Sequence, residues 1–286
     1  MRIVKRKKGN ETFLYLQHSF RKEEKVITKE KYLGKKIPEN ISKIKAELIE
    51  FEKKELYEKL KRIKENFQKE WKKVPKSAKE RELSEIAIAF TYNTNAIEGS
   101  TITLEEVREI IKDKTAPNKS LRDIKETESH FKVFLDILNI KENFSKSILL
   151  EWHKKIFGET KKDIAGEYRN YLVRVGNYIA PDENEVGALM KKLIDFSNNS
   201  KINPVELSAR AHYRFEKIHP FGDGNGRIGR LVMNKILWDA GYPMLIIEYK
   251  KRASYYKALT KEEDNFVNYF IRRYLSVHKR KLKLKI

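Results

Sequence analysis

The sequence predicts a mainly α-helical protein with two small β elements, and three observations carry that reading. Apolar residues recur at steps of three and four over long stretches, as in Ile41, Ile44, Leu48 and Phe51, and again in Leu207, Ala211, Phe215 and Ile218. Several of these stretches open with helix-start chemistry: Asn203-Pro204-Val205-Glu206 places a capping Asn before Pro, and Thr103 with Glu106 forms a capping box. Alternation of period two is confined to Thr12–Phe20 with Lys25–Leu33, and to the stretch around Val173–Ile179.

Length and composition set the bounds. With 286 residues the chain can bury one substantial core and a smaller appendage. It has no cysteine, which excludes disulfides and thiolate metal sites. No run is apolar enough to span a bilayer, so no membrane partner is expected and cytoplasmic residence is the default expectation. The formal charge of +21 admits a polyanion partner. Lys and Glu are interleaved along the helical stretches, however, and that pattern also suits a heavily solvated surface.

Taken in order, residues 1–36 are expected to form a small basic β hairpin or meander, turning at Arg21–Glu24. Lys5–Lys8, Arg21 and Lys22 are its candidate phosphate contacts. Residues 37–80 form a charged helical arm, one helix or a pair, whose apolar stripe slips by five between Phe51 and Leu56; a kink or a change of packing partner explains such a slip. Pro75 marks a boundary, and a helix from Glu82 leads to Thr94-Asn95-Ala96-Ile97-Glu98-Gly99. Leu121–Leu138 and Ser145–Phe157 are two core helices in which His130 and His153 are packing residues. Gly176-Asn177 turns a hairpin, and residues 279–286 are a basic tail. His212, seven before His219, has no third ligand near it in sequence and is also read as a core histidine.

The richest stretch is His219-Pro220-Phe221-Gly222-Asp223-Gly224-Asn225-Gly226-Arg227-Ile228-Gly229-Arg230, between two helices. Glycines allow close approach of a ligand, and the free N–H groups of Gly224, Asn225 and Gly226 at a helix start make an anion site. Arg227 and Arg230, three apart, can reach one polyphosphate; Asp223 supplies a hard oxygen ligand for Mg²⁺. His219 has the pKa range of a general base. The sub-pattern Gly224–Gly229 also satisfies a dinucleotide fingerprint, with Glu248 beyond it, but that motif requires a preceding strand, and here a helix precedes.

His219, Phe221, Asp223, Gly224, Asn225, Gly226, Arg227 and Arg230 together resemble the signature of the Fic (Fido) family. The resemblance covers residues 82 to 277 and implies a Fic-type helical core with a β-hairpin flap, or a catalytic domain over 81–278. It implies transfer of AMP from ATP to a Tyr, Ser or Thr hydroxyl of a protein, with Mg²⁺ on Asp223, His219 as base, and the phosphates held by Gly224–Gly226, the Asn225 side chain, Arg227 and Arg230. The phosphorylating Doc branch has Lys where this chain has Gly226, which sides with AMP transfer. Thr94-x-x-x-Glu98-Gly99 resembles the family's autoinhibitory motif and makes Glu98 the expected partner of Arg230. Such a pair, worth roughly 2 to 4 kcal/mol, would hold activity down about 30- to 1000-fold.

By the same resemblance, Val175, Gly176, Asn177 and Tyr178 form the flap over the nucleotide, where an unknown target protein docks, and Tyr255 and Tyr256 border adenine and ribose. The chain departs from the usual flap in having a single proline, Pro181. On a helix only one of two adjacent tyrosines can face the base. The N-terminal element is similar to those of some archaeal Fic proteins and certain transposases. Alternative readings are AMP removal at the same site, or a nucleic-acid-associated regulator acting through residues 1–36 with incidental self-modification; a homodimer through the arm is a further expectation.

Overall fold

The computed structural model describes residues 1–22 and 25–283, without the side chains of Phe20, Arg21, Lys22, Lys25 and Lys283. The expected phosphate contacts of Arg21 and Lys22, most of the Arg21–Glu24 turn, and the last residues of the basic tail therefore lie outside the described residues. The chain divides into two compact units, Met1–Arg62 and Ile63–Ile286.

In the first unit, β1 (Arg2–Lys8), β2 (Glu11–Lys22) and β3 (Lys25–Gly34) form an antiparallel meander in the order β1-β2-β3. β1 lies beyond the two strands that alternation marks. Its sequence, Arg-Ile-Val-Lys-Arg-Lys-Lys, has no apolar–polar alternation, and it forms by backbone pairing with β2, from Arg2 opposite Gln17 to Lys8 opposite Glu11. Leu14, Leu16 and Leu33 close one face of the sheet against Leu48, with Ile41 and Ile44 alongside, on helix α1 (Ile41–Lys73). His18 Nε2 to Glu52 at 2.7 Å and Lys31 to Glu47 at 3.2 Å edge that contact.

The arm is one helix, unbroken where the apolar stripe slips. Ile41, Ile44 and Leu48 serve the sheet of the first unit; Phe67 and Trp71 belong to the second unit, where they pack at ring distances of 6.3 and 5.9 Å on Trp238.

The second unit is helical. α2 (Lys76–Ile97) begins directly after Pro75, six residues before Glu82, because Pro75 itself takes the N-cap position. α3 (Leu104–Arg108) carries the expected capping box, with Glu106 N to Thr103 Oγ1 at 3.2 Å and Thr103 N to Glu106 at 2.7 Å, and runs into a wider turn over Glu109–Asp113. α4 (Leu121–Ile137) and α5 (Lys146–Phe157) are capped by Ser120 and Ser145. The hairpin strands β4 (Arg174–Val175) and β5 (Tyr178–Ile179) follow, then α6 (Glu183–Asn199), α7 (Pro204–Ile218), α8 (Asn225–Asp239), α9 (Arg252–Leu259), α10 (Glu263–Val277) and a last turn, α11 (Lys279–Lys283). The core contains Phe134, Trp152, Phe157, Phe215, Phe221, Ile228 and Leu231, so the residues of the glycine-rich turn are flanked by its largest rings. Among the described residues, no helix is long and apolar enough to cross a membrane.

Candidate active site

The site begins with the end of α7. Asn203 Oδ1 accepts from Val205 N at 2.9 Å and Pro204 occupies the first turn, as the sequence chemistry requires. Fifteen residues later His219 closes the helix in the left-handed conformation, φ 51°, a rare posture for a residue with a side chain. That turn is held by Arg169, which is buried and donates from Nε to His219 O at 2.8 Å, from Nη1 to Tyr171 O at 2.8 Å and from Nη2 to Pro181 O at 2.6 Å. One guanidinium thus satisfies carbonyls that the helix end leaves over and ties them to the base of the hairpin.

The imidazole of His219 has its Nδ1 3.3 Å from Glu216 O, and a carbonyl can only accept. Nδ1 therefore carries the proton and Nε2 keeps its lone pair. Burial holds the imidazole below the usual histidine range, which favours the neutral form at pH 7. Glu216, one turn earlier, is the reverse case: burial pushes its carboxyl up to about 7 against the pull of Arg230.

From His219 the chain turns into α8. Gly224 is its N-cap at φ 79°, and a β-carbon there would collide with the Phe157 ring, so only glycine fits. The first intrahelical bond is Ile228 N to Gly224 O, at 3.0 Å, leaving the amides of Asn225, Gly226 and Arg227 without a helical acceptor. Gly224 N differs from the expectation: it donates to Asp223 Oδ1 at 2.5 Å. Asn225 differs too. Its side chain accepts from Phe221 N at 2.8 Å and donates to Phe221 O at 2.9 Å, so it clamps the turn from within and in this structure has no group turned to a phosphate. His153 is a second clamp. Its Nδ1 accepts from Gly166 N at 2.9 Å, its Nε2 donates to Asp223 O at 3.0 Å, and its ring stacks on Phe221 at 4.0 Å.

Arg227 and Arg230 are both buried, and each meets a carboxylate from another helix. Arg227 Nη1 lies 2.5 Å from Glu126, which also holds Lys161 at 3.0 Å and Arg122 at 3.2 Å. Lys161 bridges onward to Asp223 Oδ2 at 2.7 Å. Burial acts to raise Asp223, but the Lys161 hydrogen bond and the Arg227 and Lys161 charges outweigh it and hold the carboxyl below its usual range. The Nε–H of Arg227 has no partner among the described residues and remains a donor for a ligand.

Arg230 Nη2 meets Glu98 Oε1 at 2.6 Å, while Nε bonds Thr94 Oγ1 and Nη2 also reaches Thr94 O at 3.2 Å. Glu98 stands at the C-terminal end of α2, and its carboxylate fills the space over Gly226: a β-carbon on Gly226 would collide with Glu98 Oε1. The helix start that should receive a phosphate thus already faces an anion.

The hairpin bears the expected turn, with Gly176 at φ 58° and Asn177 beside it at an exposed tip. Val175 and Ile179 are exposed, and Tyr178 donates from its hydroxyl to Lys217 O at 2.8 Å, anchoring the hairpin to α7. Of the tyrosine pair, Tyr255 is 1% exposed and its hydroxyl meets His212 Nε2 at 2.8 Å, so it is a core residue and not a border of adenine. Tyr256 is 43% exposed and donates to Ile97 O at 2.9 Å, beside Glu98. His212 is fully buried in that packing, as expected.

Asp223, half-exposed at the turn, is a lone carboxylate, and the described residues contain no group of three or more His, Cys, Asp or Glu that could cage a metal. Mg²⁺ takes one or two carboxylates and completes its shell with phosphate oxygens, so the donor set fits an ion carried with a nucleotide. Glu126, Lys161, Thr94 and the tethers of Arg169 and His153 are the parts that sequence reasoning missed as site residues. Only Thr94 carried a signal, as the first residue of the motif that ends in Glu98-Gly99.

Comparison with known proteins shows what the chain is similar to. The Fic/DOC family model matches residues 143–237. A protein adenylyltransferase Fic from Nematostella vectensis is 34% identical over 200 residues, covering 67% of this chain and 47% of the relative. The chain thus spans about half the length of that curated relative. Among solved structures, Fic-1 from C. elegans superposes with a TM-score of 0.71 at 28% identity, covering 82% of this chain and 73% of that one. A Fic domain containing signaling protein from Bacteroides thetaiotaomicron gives a TM-score of 0.67 at 27% identity, covering 79% and 98%.

Proposed function

The chain carries a domain of the Fic/DOC family, and from that premise we propose that it is an adenylyltransferase that moves AMP from ATP to a Tyr, Ser or Thr hydroxyl of a protein, under restraint by Glu98. The observation that carries the reading is the pairing of Glu98 with Arg230 directly over Gly226, beside a histidine whose Nε2 lone pair is free.

In this reading the triphosphate lies along the start of α8. The amides of Asn225, Gly226 and Arg227 face its oxygens, with the spare Nε–H of Arg227. Asp223 would hold Mg²⁺ brought with the nucleotide, and the bound ion would supply charge to offset the phosphates. His219 Nε2 accepts the proton of the acceptor hydroxyl as that oxygen bonds to the α-phosphorus. The bond from the α-phosphorus to the bridging oxygen breaks, and pyrophosphate leaves. Positioning and electrostatics supply the catalysis, since no covalent enzyme intermediate forms. The exposed hairpin at Val175–Tyr178 lends a strand edge to the target segment. Arg230 completes the grip on the far phosphates only when Glu98 lets go of it.

The test compares Glu98→Gly with Glu98→Gly/His219→Ala, using labelled ATP and Mg²⁺, with mass spectrometry for an adenylate on the chain or on added protein. The histidine change is expected to cost about 10²- to 10⁴-fold in transfer. Equal transfer by both variants would overturn the assignment of His219.

A further inference from the structure

The first unit carries a surface that adenylyl transfer does not use. Leu14 and Leu16 turn one face of the sheet onto α1, so alternation along β2 sends Phe13, Tyr15 and Gln17 to the other face. The register then gathers a cluster there: Arg6 lies opposite Phe13, and Tyr15 opposite Tyr32. The Phe13 and Tyr32 rings are 6.1 Å apart and those of Tyr15 and Tyr32 are 5.3 Å apart, with the Arg6 guanidinium 4.8 Å over Tyr15. Tyr32 is 55% exposed. Three rings in one patch on an open sheet face contribute little to this unit's core, which lies on the opposite side.

Charge lies along the flank of that patch. On β1, an edge strand with no acidic residue, Arg2, Arg6 and Lys8 lie opposite Gln17, Phe13 and Glu11 and share the ring face, while Lys5 and Lys7, opposite Leu14 and Thr12, take the other; residues 1–36 have twelve Lys and Arg against four Glu. Of the two glutamates on the same face among the described residues, Glu30 is engaged by Arg6 at 2.6 Å, and Glu11 is paired with Lys35.

We propose that this face binds a single-stranded polynucleotide, its phosphates along β1 and its bases on the Phe13–Tyr15–Tyr32 rings. Rings beside a cationic edge form a stacking platform, and only unpaired bases offer the π-face such a platform needs. A duplex hides those faces. An acidic peptide would satisfy the cations and leave the rings unused. The proposal is independent of the catalytic reading, since it involves no residue of the turn at His219.

The test uses the full chain and fluorescence anisotropy with labelled 12-mer single strands of RNA and DNA, the matching duplex, and poly-glutamate. Single strands of either sugar should bind, and the duplex and poly-glutamate at least about ten-fold more weakly. Tyr15→Ala with Tyr32→Ala should weaken binding about ten-fold or more, and Tyr32→Leu, which keeps the apolar bulk, should weaken it in the same direction. Replacing Arg2 and Lys8, the ring-face cations of β1 other than Arg6, with Gln should flatten the slope of log affinity against log salt by about 1.4. His219→Ala should bind as the parent does. No binding, equal or tighter binding of duplex or poly-glutamate, or ring variants that bind as the parent does would each overturn the proposal.

Discussion

Arg227 and Arg230 leave the same helix one turn apart, both are buried, and each ends on a carboxylate, yet the two pairs are built for opposite purposes. Glu126 is 6% exposed on its side chain, comes from the middle of α4, and is shared among Arg227, Lys161 and Arg122. Glu98 is 29% exposed, stands where α2 ends, and has Arg230 as its only ion-pair partner among the described residues. A buried carboxylate cannot leave without stranding Arg227 and Lys161 in the interior, whereas a helix-end carboxylate can swing into water at little cost. The difference lies in the partner and not in the arginine: one carboxylate is locked among buried cations, the other can part from its arginine, as the proposed restraint by Glu98 requires.

The contrast can be broken experimentally. Glu126→Gln should have the largest effect, about 3–5 kcal/mol of lost stability, because Arg227 and Lys161 remain buried with only Asp223 left to offset two cations. A fall in melting temperature of roughly 6–20 °C is the readout, with no gain in AMP transfer. A change of only a degree or two would make Glu126 no more structural than Glu98. Glu98→Gly should come next, raising transfer by about 30- to 1000-fold, equivalent to roughly 2–4 kcal/mol, with a much smaller change in melting. Transfer from labelled ATP no higher than the parent's would show that the pair does not gate.

The smallest effect is that of pH, and it sharpens the comparison by isolating the base from the gate. The His219 pKa is lowered by burial, so its neutral form is filled from pH 7 upward and empties only below the ordinary histidine range. Transfer by Glu98→Gly should therefore be flat between pH 7 and 8 and decline on the acid side, below about 6.5. An activity still rising steeply above pH 7 would point to a different base. Stability should decline over the same acid range for a related reason. His153 and His212 are held near 4 and 3 by burial, so below about 6.5 the unfolded chain takes up protons that the folded one refuses.

The sequence by itself determined the helical class, the capped starts at Asn203 and Thr103, and the glycine turn; the glutamate that meets Arg230 was legible only through the resemblance of Thr94-x-x-x-Glu98-Gly99 to the family's motif. Each of the first three depends on residues close together in the chain: a cap needs a side chain two or three residues from an amide, and an anion site needs glycines at a helix start. What tertiary structure decided was how side chains from distant elements share one buried volume. Asn225 holds Phe221 instead of a ligand, Tyr255 lies inside and Tyr256 outside, and β1 forms without an alternating pattern because β2 supplies its hydrogen bonds. Glu126 and Lys161 are the clearest cases. In sequence each is one charged residue among many, and it is the shared desolvation of Arg227 and Asp223, brought together only by folding, that gives them a role.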